Sequence, residues 1–172
     1  MNKPMPEGTP SGKDSSNDQM QVHRHLDRMT PSYSEVYSVE EISRHAAMAA
    51  VLTDDNPAEV DFSGQPDGRW RVTVVAYDFP GELSVITGLM FVYGVNILSG
   101  EAFTYVPASE GSQRQLAQDT RRKIVDVFNV QLLDESQSVE ETWAQYASDL
   151  AAYQRMVRSG QLREMLGDLS RR

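Results

Sequence analysis

The stretch best suited to chemistry is Asp78-Phe79-Pro80-Gly81-Glu82-Leu83. Pro80 and Gly81 break a run of strand-forming residues. Leu83, Ile86, Met90 and Tyr93 then recur at helical spacing, so the chain passes from strand to helix across this turn. A helix start leaves backbone N–H groups without intrahelical acceptors and carries the positive end of the helix dipole. Such an end can hold the carboxylate of an amino acid. Gly81 has no Cβ and admits a ligand closely. Asp78 can accept a hydrogen bond from an α-amino group. Asn96, beside Ile97 in the next strand, offers both a donor and an acceptor. Each residue also has a plain structural use: Asp78 can cap the turn, Pro80 and Gly81 can simply start the helix, and Asn96 can satisfy strand-end backbone.

Other chemistry finds little support. Cysteine is absent, which excludes a disulfide framework, thiolate zinc sites and a cysteine nucleophile. The histidines are His23, His25 and His45, none followed by Asp, and two histidines in a lead-in are a weak metal signal. No Asp-x-Asp pair exists to hold two metal ions, and Gly111-Ser112 has no carboxylate pair behind it. We therefore expect no catalytic residues, no metal and no cofactor. The formal net charge of −9 disfavours nucleic acid and anionic lipid, and Arg121-Arg122-Lys123 reads as solvated charge at a strand entrance. No run of 18 apolar residues is present, and residues 1–20 have no apolar core of a secretory signal. The expected compartment is the cytoplasm.

The elements that must position the turn are legible from pattern. Residues 1–22 are rich in Pro, Gly, Ser, Asn and Asp and read as a disordered tail. Residues 23–57 form a helical lead-in. Within it Ser38-Val39-Glu40-Glu41 fits a capping box, followed by Ile42, Ala46 and Ala49 at helical spacing. Residues 58–62 read as a short strand and Trp70–Tyr77 as a strong one. Residues 95–105 and 123–133 read as two more, separated by a polar loop. A second box, Ser138-Val139-Glu140-Glu141, opens a long helix whose apolar stripe is Val139, Trp143, Tyr146, Leu150, Tyr153 and Val157. The stripe is read as core rather than as a ligand box. Leu162, Met165, Leu166 and Leu169 suggest a further helical piece.

This order predicts an α+β fold, with residues 58–172 as one domain. A strand–helix–strand crossover leaves a gap for a third strand. Filling it gives a ferredoxin-like antiparallel sheet with helices on one face, plus an N-terminal helix and a long C-terminal helix. That fold needs a closing edge strand, and the chain's last residues do not supply one. The early strand at 58–62 is expected to take its place by pairing with the Trp70 strand.

The segment Trp70–Tyr105 resembles an ACT domain, in which a strand enters an Asp-x-Pro-Gly turn, a helix, a Gly and a strand near an Asn-Ile pair. Here these are Asp78, Pro80, Gly81, Gly94, Asn96 and Ile97. The stretch from His25 to His45 is similar to the segment leading into the ACT region of bacterial PII uridylyltransferases and glutamine-synthetase adenylyltransferase-like proteins, enzymes several times longer. The resemblance implies a regulatory module that senses an amino acid, in these nitrogen-control proteins glutamine. The implied ligand-binding residues are Asp78, Phe79, Pro80, Gly81, Glu82, Leu83, Asn96 and Ile97. It further implies a homodimer and a catalytic domain in cis or a partner enzyme in trans. The alternative is an ACT-like dimerisation scaffold that binds no ligand.

Overall fold

The computed structural model describes residues 12–106, 121–134 and 138–160 of the 172-residue chain. Its elements are α1 (Gly12–Leu26), α2 (Pro31–Val36), α3 (Val39–Ala50), β1 (Ala58–Gly64), β2 (Trp70–Tyr77), α4 (Glu82–Val92), β3 (Val95–Thr104), β4 (Lys123–Leu132) and α5 (Val139–Arg158). The class is α+β, with one open antiparallel sheet of four strands and five helices among the described residues.

The strand order is β1-β2-β4-β3. The two strands richest in β-branched residues, β2 and β4, lie at the centre, with Val72 opposite Phe128 and Val74 opposite Asp126. β4 fills the gap between β2 and β3, as expected. β1 pairs with β2 from Ala58↔Ala76 to Gly64↔Trp70, so the early strand does supply the edge. On the other side β3 pairs with β4, with Gly100 opposite Phe128 and an irregularity in register between Ile97 and Ser99. A Cβ at Gly100 would lie 2.7 Å from the Phe128 ring.

The two helices of the expected ferredoxin-like unit share one face, and the N-terminal helices, whose placement the sequence pattern leaves open, cover the other. α4 and α5 cover one face, where Val72, Val74, Ala76, Ile124, Phe128 and Val130 meet Ile86, Met90, Trp143, Tyr146 and Leu150. The N-terminal helices cover the other, where Val75, Tyr77, Val125 and Val127 meet Tyr33, Tyr37, Ile42, Met48, Ala49 and Leu52. The physical reason is that β2 and β4 carry apolar residues at successive positions rather than alternate ones, so both faces must be removed from water. The lead-in is thus part of the core and covers one whole face of the sheet's centre. α1 begins at Gly12, inside the stretch read as a disordered tail, because its far end is anchored by His25 against the sheet. The proposed helical piece around Leu162–Leu169 and the loop at 107–120 lie outside the described residues.

Local signals explain the helix starts. At α3 the Ser38 Oγ accepts from Glu41 N at 3.3 Å and the Glu41 carboxylate accepts from Ser38 N at 2.9 Å, a complete capping box. Ser38→Ala is expected to cost about 1 kcal/mol in urea denaturation, the usual value of a lost N-cap. At α5 Ser138 Oγ accepts from Glu141 N. The apolar stripe of α5 holds through Leu150. It then drifts, so that Gln154 is buried and Tyr153 and Val157 are only half-buried.

Candidate functional site

α4 starts differently from its neighbours. Its N-cap is Gly81 at φ 92°, a left-handed conformation that glycine adopts without a Cβ penalty, and no side chain caps its first turn. The turn is closed by Glu82 N donating to Phe79 O at 3.1 Å and Val85 N donating to Gly81 O at 3.2 Å. Pro80, Gly81 and Leu83 are exposed, and Asp78 and Phe79 are half-buried. Asp78 N donates to Arg122 O at 3.0 Å, and the Asp78 carboxylate meets Arg122 Nε at 3.3 Å.

Asn96 and Ile97 do not join this turn within one chain. Tyr77 pairs with Lys123 at one end of β4, whereas Asn96 pairs with Gln131 near the other. At about 3.4 Å per residue the two ends of the expected site are roughly 27 Å apart. Asn96 is exposed and Ile97 is half-buried beside the α4–α5 core. A cavity of about 300 Å³ lies between β1 and α5, lined by Ala58, Val60, Ala147, Ala151 and Arg155 among others. None of the turn residues lines it.

Behind the turn lies a buried acidic cluster that the sequence only hinted at. Glu82 is 4 % exposed, and its Oε1 accepts from Gln154 Nε2 at 2.5 Å. Asp126, from the middle of β4, projects to the same face and is buried. Burial, reinforced by the charges of Asp126 and Asp78, pushes Glu82 up to about 8 against the pull of the Gln154 bond. Burial and the Asp78 charge push Asp126 up to about 7. The Tyr146 hydroxyl, buried beside both acids, is held well above the usual phenol range and donates to Ile86 O at 3.2 Å. The uneven strand pattern Ile124, Asp126, Phe128, Val130 carried the signal: one acid in an apolar face.

The opposite face of the sheet holds a second polar network, in residues given little weight from sequence. Tyr105 OH lies 2.7 Å from His25 Nδ1, Tyr33 OH lies 2.9 Å from His25 Nε2, and Tyr33 OH lies 2.6 Å from His45 Nδ1. The Tyr33 hydroxyl has one proton, so it donates to one histidine and accepts from the other. The chain of bonds ties α1, α2, α3 and the end of β3 together. Burial, with the charges of His45 and Lys123, pushes His25 down to about 3, and burial is also the main cause pushing His45 down to about 4.

Among the described residues no three of His, Cys, Asp and Glu are placed to hold a metal ion, and no helix is long and apolar enough to cross a membrane. Fold and site together define an α+β protein with an uncapped helix start set against a buried carboxyl cluster. Comparison with known proteins returns no match: no family model, no curated protein and no solved structure.

Proposed function

We propose that the chain is a regulatory module that binds a free amino acid, glutamine first among candidates, and signals its presence to a catalytic domain in cis or a partner enzyme in trans. The supporting observation is the juxtaposition at residues 78–83. The uncapped first turn of α4 presents N–H groups and a positive dipole end, while Asp78 and Asp126 place carboxyls close behind it. A zwitterion has two poles to satisfy: carboxylate on the helix N–H groups, ammonium toward Asp78 in exchange for Arg122. The strand order with its β2–α4–β3 crossover is compatible with a ferredoxin-like, ACT-type arrangement, in which β1 serves as the closing edge. No chemistry is assigned to the chain, and nucleotidyl transfer by it is expected to stay at background.

Calorimetric titration with a panel of amino acids tests the reading. Saturable heat with glutamine, lost in Asp78→Ala, is the expected result. Absence of heat and of any thermal shift across the panel would overturn it.

A second reading, a ligand-free dimerisation scaffold, is favoured by the apolar surface beside β3, an edge strand among the described residues. Phe91 is 81 % exposed and Val92 75 % exposed on α4, and Leu98 is exposed on edge strand β3. Three such residues close to an edge strand suit a second copy of the chain. Sedimentation showing only monomer at high concentration would remove that reading.

A further inference from the structure

Glu82 and Gln154 hold two polar atoms that an ionised carboxylate leaves stranded. Gln154 Nε2 donates to Glu82 Oε1, yet Glu82 Oε2 and Gln154 Oε1 are both buried without a partner among the described residues. Gln154 has no exposed surface. Two unpaired acceptors on one buried pair are costly, and a single proton satisfies both.

We propose that Glu82 is carried as the neutral acid and that its Oε2–H donates to Gln154 Oε1, closing a two-bond acid–amide pair that latches the start of α4 to α5 in a proton-dependent way. Burial and the acids facing this pair favour the proton: the turn contributes Asp78 and β4 contributes Asp126. The nearby cation, Arg122, lies on Asp78 and is more than half exposed. Loss of the proton sets Gln154 Oε1 against a buried carboxylate oxygen and adds a charge to a cluster that already holds two acids. The α4 start then separates from α5. The latch places a proton-controlled joint at the turn assigned above to the amino acid. Its existence is independent of that assignment, since it needs only residues of this chain.

The sign of the pH effect follows from the raised pKa. A carboxyl that binds its proton more tightly in the folded state gives stability that is complete below its unfolded value of 4.5 and is lost as pH rises toward about 8. Carbon NMR of the Glu82 side chain in the unmutated protein, without ligand, is expected to show a titration midpoint near 8. A midpoint near 4.5 would overturn the proposal. Urea unfolding between pH 6.5 and 8.5 gives the second test. The folded-to-unfolded ratio is expected to fall by up to roughly tenfold per pH unit for this one proton, on top of a smaller loss from Asp126. Glu82→Gln keeps a neutral two-bond partner for Gln154 and is expected to remove the Glu82 part of that fall. An unchanged fall in Glu82→Gln would assign it to Asp126 and sink the latch. If Glu82→Gln does not fold, the NMR titration decides alone. Failure to bind amino acids in calorimetry would leave both outcomes unaltered.

Discussion

Trp143→Ala is expected to lower stability by about 3–5 kcal/mol, read as a fall in the urea midpoint with the slope unchanged. Trp143 is 1 % exposed and sits where α5 crosses the sheet. Its ring stacks on Phe62 at 6.0 Å and meets Tyr146 edge-on at 5.5 Å. Removing it empties a space that Val60 and Phe62, held in β1 by its pairing with β2, and Tyr146, held in α5, cannot close. The loss also unseats β1, because Phe62 is that strand's aromatic contact with the helix. A small effect would mean that α5 is not seated on the sheet through this residue.

Tyr33→Phe is expected to cost roughly 2–4 kcal/mol, although it removes a single oxygen. That oxygen serves both His25 and His45, and Phe leaves a buried nitrogen of each without a partner. The same network sets the acid limit. Histidines whose folded pKa is depressed contribute stability that is complete above the unfolded value of 6.5 and is lost as pH falls toward about 4 and 3. Between about pH 4.5 and 6.5 Glu82 and Asp126 act in the opposite sense and offset the loss. A broad stability maximum is therefore expected across that interval, with decline on both sides. Denaturation curves at half-unit pH steps check it. Stability that instead climbs steadily from pH 6.5 to 8.5 would contradict the assignment of the raised carboxyls.

Much of the fold was legible because its signals are local. Ser38 and Ser138 mark helix starts, Pro80 and Gly81 mark the strand-to-helix turn, and the Trp70–Tyr77 run names its own strand. The pairing of β1 with β2 was also legible, since a short connection leaves few alternatives. The second helical layer was missed although its trace was present: Val74 and Val75 are adjacent, and a strand with one wet face would alternate. The site was less legible. Asp78, Gly81 and Glu82 fall together because they are neighbours in sequence. Gln154 and Asp126 join them only through packing between elements, which no spacing rule reveals. Asn96 was drawn to the turn by family resemblance, and strand register sends it to the far end of the sheet. The histidines were undervalued because each stands alone in sequence, and only the docking of three helices brings them to one tyrosine.

The placement of the edge strand bears on how the molecule is assembled. β1 reaches β2 across the short turn at residues 65–69, where Gln65 N donates to Arg69 O and Gly68 takes a positive φ of 77°. In a sheet closed by a terminal strand, that edge forms only after the last helix has been made. Here all four strands precede α5. In a chain emerging from the ribosome N-terminus first, the N-terminal helices and the whole sheet are made before Trp143 is. The face of Val72, Val74 and Phe128, met earlier by Ile86 and Met90 of α4, is then completed only when α5 docks on it.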